Sequence, residues 1–305
     1  MKKLSKIALF VFNRPVHTFK VLNSLKKNNL AKFSEIYIFS DDVRNKKDKI
    51  GVAEVRKIIK NVKGFKKKTI IYRNRNFGLA KNFIDGINEV LKKNERIIVL
   101  EDDNLVSPHF LSFMNDALEI YKNSKNVGSI SGYSYRLNTE KNETFFSTFI
   151  PSWGWATWRR SWKYMNLDGN FLMNKIYKNK KVKNFNLNNS YDFMRILKNQ
   201  ANNINDSWSI RWYASLFLKK KLALFSTQSY VHNIGFDGSG VHTPKTDIFK
   251  VNLLGEYKKL EKIPVHPHKE YNYQLNNFFK KLQKREKFLN FINIIKYKIN
   301  KIFGK

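Results

Sequence analysis

The 305-residue chain contains no cysteine, which excludes disulfides and thiolate metal sites and fits a reducing compartment. Acidic residues are scarce. Only 24 Asp and Glu stand against 58 Lys and Arg, a formal charge of +34. With 6 prolines and 13 glycines, the chain is neither collagen-like nor of the Pro/Gly-rich low-complexity type. Long hydrophobic runs are missing too, since no stretch reaches the ~18–20 apolar residues that span a bilayer. The amino terminus opens with lysines but has a short apolar run, followed by Asn13, Arg14 and Pro15 instead of a small-residue cleavage site. It therefore reads as a first strand and not as a signal peptide.

What is present supports a large core: 42% hydrophobic and 15% aromatic residues. The length fits about two domains, or one large α/β domain with an appendage. The basic excess invites a nucleic-acid reading. Yet the lysines are scattered through nearly every expected helix and loop, together with abundant asparagine, a pairing that AT-rich codons also produce. Most of these lysines read as a solvated surface, with a general attraction to anionic lipids or phosphorylated substrates.

Strands and helices alternate over the first 130 residues. Residues 7–12, 36–39, 69–72 and 97–100 read as apolar strands. Val16, Phe19, Leu22 and Leu25 have helical spacing, as do Phe83, Ile87, Val90 and Leu91, and a further helix is expected near 52–62. Ser107 and Pro108 read as a cap and first-turn proline of the next helix. This alternation predicts a mostly parallel sheet with helices on both faces. Beyond residue 130 the pattern changes. A short strand at 128–132 precedes a dense aromatic loop at 150–158, and 175–183 reads as a polar surface excursion. A helix over 206–218, a strand at 222–225 and a glycine-rich loop at 235–242 follow. From Phe288, the residues Phe291, Ile292, Ile295, Ile299, Ile302 and Phe303 form one helical stripe, bordered by Lys287, Lys296, Lys298, Lys301 and Lys305. Such a basic amphipathic helix suits an anionic membrane surface, and it equally suits packing onto the domain.

The most informative feature is Glu101, Asp102 and Asp103, which end the apolar run 97–100. Open α/β sheets bind ligands at the carboxyl ends of their strands. Three adjacent carboxylates there repel one another unless a cation or hydrogen-bond donors compensate. A divalent metal facing a polyanion such as a nucleoside diphosphate satisfies that demand. Asp41 and Asp42 also follow a strand, where they could hydrogen-bond a base or ribose, or simply form a turn. Arg14 beside a helix start favours phosphate. Asp206 could cap its helix or serve as a carboxylate base. His242 could be a nitrogen ligand or a phosphate contact.

In order, these motifs are NRP at 13–15, SDD at 40–42, RNFGLAKN at 75–82, VLEDD at 99–103, SPHF at 107–110, IPSWGW at 150–155, DSW at 206–208 and the glycine loop at 235–242. The series resembles the GT-A fold glycosyltransferases, particularly bacterial relatives of N-acetylglucosaminyltransferase I and family 2-like enzymes, over about residues 5–245. That resemblance implies a GT-A, Rossmann-like α/β sheet over 1–250, with a nucleotide-sugar half near 1–130 and an acceptor half near 131–250. Residues 251–305 would form a basic, amphipathic helical tail. It implies a UDP-sugar donor held by Arg14, Asp42, Lys81, Glu101 and Asp102, with Mn²⁺ or Mg²⁺ on Asp103 and His242. Trp153, Trp155 and Trp208 would border the sugars. Asp206 would be the base of an inverting transfer, although Ser207 replaces the second acid of the family's pair. The acceptor would be a bacterial surface glycan or lipid-linked glycan, such as lipopolysaccharide or capsule. The location implied is cytoplasmic and peripheral on the inner membrane face. Two alternatives stand beside this reading. A sugar-phosphate nucleotidyltransferase would want a glycine-rich loop after the first strand, where 12–17 has no glycine. A nucleic-acid-binding protein would not place carboxylates in its site, so no nucleic-acid partner is expected.

Overall fold

A computed structural model of the chain describes residues 4–239 and 245–303, with side chains described through residue 289. The first half holds β1 (Lys6–Val11), α1 (Pro15–Lys26), β2 (Glu35–Ser40), α2 (Lys49–Asn61), β3 (Lys67–Tyr72), α3 (Leu79–Lys93) and β4 (Arg96–Glu101). These strands pair in parallel in the order β3-β2-β1-β4. After β3 the chain must cross back over two strands, so right-handed crossovers put α1 and α2 on one face and α3 on the other. β1 shows why its sequence is apolar throughout: Ile7, Leu9 and Val11 face one helical layer, Ala8 and Phe10 the other, and all are buried. Phe10 stacks on Phe83 of α3 at 4.0 Å and on Phe39 of β2 at 4.9 Å.

The second half adds β5 (Asn104–Val106), α4 (Phe110–Ile120), β6 (Val127–Ser131), β7 (Thr144–Ser147), β8 (Trp155–Trp158) and α5 (Arg159–Trp162). It continues with α6 (Gly169–Lys178), α7 (Val182–Phe185), α8 (Phe193–Ala201), α9 (Trp208–Leu218), β9 (Leu222–Ser226), β10 (Val231–Asn233) and α10 (Lys269–Phe303). The eight-stranded sheet runs β3-β2-β1-β4-β8-β6-β9-β7, and β5 pairs with β10 in a separate ribbon. β8 is antiparallel to both β4 and β6, and β7 is antiparallel to β9, so the parallel half passes into a mixed half.

Several expectations change here. The segment 155–158 is a central strand, where an aromatic loop was expected. Its four residues are buried, Thr157 Oγ1 donates to the Gly128 carbonyl at 2.7 Å, and Trp158 Nε1 donates to that of Leu118 at 3.1 Å. The range 175–183 is the exposed polar segment expected, but it lies largely in helices, because Leu172 and Ile176 give α6 a buried face and Asp168 caps it by accepting from Phe171 N at 2.9 Å. The helix after the acids starts at Phe110, since Ser107 folds a turn through its hydroxyl and carbonyl first. α10 begins at Lys269, well before Phe288, and buries Tyr271, Leu275, Phe279 and Leu282 on the domain. That first half of the helix is packing. Phe288 beyond it is 62% exposed. The side chains of Phe291, Ile292, Ile295, Ile299, Ile302 and Phe303 lie outside the described residues. Among the described residues, no helix is long and apolar enough to cross a membrane.

Gly86 on α3 faces Phe10: an added Cβ would lie 2.6 Å from Phe10 Cε1 and 2.8 Å from its Cζ. Alanine gains about 1 kcal/mol of helix propensity, whereas overpacking costs about 1–3 kcal/mol. Because Phe10 is clamped between Phe39 and Phe83, the clash should win. Gly86→Ala should lower the thermal midpoint, and a raised midpoint would show that the Phe10 stack is loosely held.

Candidate active site

The parallel pairing of β1 and β4 sets Phe10 opposite Glu101. The residues just past both strand ends are therefore brought side by side. Arg14 and the acidic trio meet here, 88 and 89 positions apart in sequence. Arg14 grips both aspartates, donating from Nη2 and Nε to Asp102 and from Nη2 to Asp103 Oδ2 at 2.9 Å. Burial works to lower the Arg14 pKa, but the charges of Asp102 and Asp103 outweigh it and hold the guanidinium firmly protonated. One cation does not balance three acids. Burial, with Asp103 and Asp102 beside it, pushes Glu101 well above the usual carboxylate range. Burial likewise pushes Asp103 up, with Asp102 adding to it, against the pull of Arg14 and His17. The strand end still lacks positive charge.

Asn104, wholly buried, is the joint of this corner. Its Nδ2 donates to Asp103 Oδ1 at 2.8 Å, while its Oδ1 accepts from Glu101 N at 3.2 Å and Gly154 N at 2.9 Å. Gly154 sits at φ +54, and an added Cβ would strike Val231 of β10, so this turn needs glycine. The β5–β10 ribbon brings in a further loop. Ile234 N donates to the Asp103 carbonyl at 2.9 Å, and the Asp103 carboxylate occupies the space a Gly235 side chain would take. Two residues on, Asp237 pairs with His17 Nε2 of α1 at 3.1 Å. The corner is fixed from below by Asp48, which accepts from Asn13 Nδ2 at 2.6 Å and from Arg44 N and Nε at 3.2 and 3.1 Å.

The other sequence candidates fall at varied distances from this corner. Asp42 is at the end of β2, beside β1, and pairs with Arg56 at 3.1 Å. Its neighbour Asp41 is the structural member of the pair, accepting from Phe77 N at 2.9 Å and Gly78 N at 3.1 Å. Lys81 lies exposed on α3, paired with Asp85 at 2.8 Å. Trp155 is wholly buried and Trp208 nearly so, stacked on each other at 5.7 Å. Both are buried packing residues, so they do not border a ligand as expected, and of the three tryptophan candidates Trp153 alone is half-buried. Trp208 also stacks on Phe83 at 4.8 Å, one ring removed from Phe10, so α9 begins at the edge where the acids lie. Ser207 caps α9 by accepting from Ile210 N at 3.3 Å. Asp206 is therefore not the cap. Its carboxylate is 67% exposed and held by Arg211 at 3.1 Å, and Arg211 also donates to the Leu167 carbonyl. His242 lies outside the described residues.

The donor set at the corner is all oxygen, the chemistry that suits Mg²⁺ or Mn²⁺. Among the described residues, no group of three or more His, Cys, Asp or Glu side chains forms a metal cage. The arrangement fits an ion held by one or two carboxylates and completed by ligand phosphates and water, the usual pattern for Mg²⁺. Asn104→Asp would remove the donor to Asp103 and add a fourth carboxylate in the same buried corner. It should cost about 2–3 kcal/mol of unfolding free energy, measured by denaturant titration. Undiminished stability would contradict the role of Asn104 as the joint.

Residues 7–203 match the family model described as "Glycosyl transferase family 2". Among solved structures, S. aureus TarS residues 1–349 align with 13% identity over 74% of this chain and 59% of that one, with a TM-score of 0.39. A second S. aureus TarS structure aligns with 16% identity over 45% of this chain and 23% of that one, with a TM-score of 0.30. The mannosyltransferase PcManGT from Pyrobaculum calidifontis, solved with GDP-Man and Mn²⁺, aligns with 13% identity over 44% of this chain and 37% of that one, with a TM-score of 0.31. The chain thus spans less than two thirds of the length of each of these proteins. No curated protein matches the sequence. The likeness to N-acetylglucosaminyltransferase I is a loose one beside the family match. Since that match covers most of the chain, the protein belongs to glycosyl transferase family 2.

Proposed function

We propose that this family 2 member is an inverting, metal-dependent glycosyltransferase that moves a sugar from a UDP-sugar to a hydroxyl of a bacterial surface glycan or lipid-linked acceptor. The observation that carries the reading is the uncompensated acidic corner at the end of β4, gripped by Arg14. A nucleoside diphosphate alone would be repelled there, but one arriving with a divalent cation supplies the missing charge. In this reading Asp103 holds Mn²⁺ or Mg²⁺ with Asp102 beside it, and His242 is a further candidate ligand. When bound, the ion stabilises the negative charge that develops on the leaving diphosphate. Arg14 then has a second anion within reach and steadies the phosphates. Asp42 and Glu101 border the nucleotide, and Lys81 lies farther out along α3. Trp153 offers a ring to the sugar.

Asp206 is the proposed base. An inverting transfer needs a carboxylate that accepts the acceptor hydroxyl's proton as the oxygen attacks the anomeric carbon in line with the departing UDP. Asp206 is open to solvent, lies at the start of α9 and is oriented by Arg211, and Ser207 has taken over the capping task that would otherwise tie it down. The cytoplasmic face of the membrane is the proposed workplace, with the far end of α10 as the contact.

The purified chain, given a panel of UDP-sugars with Mn²⁺ and a glycan acceptor, should release UDP in an acceptor-dependent manner. Asp206→Asn should retain donor binding yet lower turnover by about 100-fold or more. A variant that turns over at the wild-type rate would remove Asp206 from the mechanism. Release of pyrophosphate from a nucleoside triphosphate would favour the nucleotidyltransferase alternative.

A further inference from the structure

A second cleft, of about 870 Å³, opens between the loop 245–248 and the first half of α10. Its walls carry Arg136, Lys245, Lys281 and Arg285. None of these four cations makes an ion pair among the described residues, and Arg136 turns Nε to the Lys250 carbonyl at 2.8 Å. Two acids, Asp247 and Glu270, also line the cleft, and Glu270 accepts from Gln274 Nε2 at 2.8 Å. Beside Thr246 and Ile248, the remaining lining is amide and aromatic: Asn138, Gln274, Asn277 and the half-buried ring of Phe278. Unpaired cations concentrated in a concave site attract anions more strongly than the same charges spread over a convex surface. Amides and an exposed ring face are what sugar hydroxyls and sugar faces contact.

The cleft is joined to the acidic corner by a packed path. Phe278 meets Phe249 at 6.0 Å, Phe249 meets Phe236 at 4.5 Å and Trp153 at 5.2 Å, and Phe236 adjoins Asp237, the partner of His17. The Thr246 amide donates to the Phe236 carbonyl at 3.0 Å, tying the cleft wall to the loop over Asp103. A ligand in the cleft thus lies on the same loop system that roofs the site.

We infer that this cleft binds an anionic stretch of the acceptor, a glycan bearing carboxylate or phosphate groups, and holds it while a more distant hydroxyl reaches the transfer site. The inference rests on the glycosyltransferase reading for the acceptor role, but the binding itself does not. A membrane surface is the poorer occupant, because the cleft is concave and Asp247 and Glu270 would face the lipid phosphates.

The test uses the full chain and fluorescently labelled hexagalacturonate, with maltohexaose as the neutral control, in anisotropy titrations at about 0.15 M salt, where diffuse surface charge is screened beyond ~8 Å. Lys281→Glu with Arg285→Glu should weaken hexagalacturonate binding about tenfold or more. The same reversal at the exposed Lys92 and Lys93, at the far end of α3, should change it less than about threefold. Arg136→Gln on the opposite wall should also weaken it, which separates loss of the cleft from damage to α10. Basal UDP-sugar hydrolysis should be unchanged in all of them. Equal losses from both charge-reversed pairs would overturn the proposal in favour of general charge attraction. So would a cleft variant that keeps hexagalacturonate but loses phosphatidylglycerol vesicles. A chain that binds hexagalacturonate through the cleft while hydrolysing no UDP-sugar would defeat the donor reading and leave the cleft assignment standing.

Discussion

The grip of the Arg14 guanidinium on Asp102 and Asp103 is the contact on which the rest of the site depends. Carboxylates withdrawn from water lose hydration worth several kcal/mol each, and the loss is recovered only by a close cation or by donors. Two oxygens per acid and a planar guanidinium with parallel N–H groups form the pairing best suited to that recovery. It is incomplete by construction, because Glu101 is a third acid beside the pair, and burial, with neighbouring aspartate charge adding to it, raises the proton affinity of both Glu101 and Asp103. In a protein of charge +34, this corner is a local exception. Under the proposed function, a site short of positive charge, inside a molecule rich in it, takes a polyanion that carries its own cation.

The fold supplies the geometry that makes this shortage stable. Parallel pairing of β1 with β4 fixes where Arg14 meets the acids. Asn104 spends every polar atom of its side chain on holding Asp103, Glu101 and Gly154 in register. The β5–β10 ribbon carries Gly235 and Asp237 over the top, and the rings of Phe10, Phe83, Trp208 and Trp155 stack in turn. Aromatic packing also runs through Trp153, Phe236 and Phe249 toward α10, so the acidic corner and the cleft are joined by one packed wall.

The acidic strand end was readable in the chain because an uninterrupted apolar run has to be a buried strand, and charge placed directly after it has to emerge at the sheet edge. The alternation of the first 130 residues was readable for the same reason. Asn104, His17, Asp237 and Asp41 were not. Their roles come from partners that only the folded chain brings near, such as Gly154 for Asn104 and Asp237 for His17. The strand at 155–158 escaped notice because tryptophans after a glycine look like a loop until their neighbours β4 and β6 are in place. The capping role of Asp206 failed on a one-residue detail: Ser207 reaches the Ile210 amide instead. A helical tail was expected over 251–305, and α10 begins within it at Lys269; what escaped notice is that Tyr271, Leu275, Phe279 and Leu282, at helical spacing, pack its first half onto the domain.

The most direct test of the charge-shortage account is the affinity of the full chain for UDP with and without Mn²⁺, measured by calorimetry on the wild type and on Asp103→Asn. The account predicts that Mn²⁺ tightens UDP binding about tenfold or more in the wild type and has little effect in the variant. Equal UDP affinity with and without the ion in the wild-type chain would contradict it.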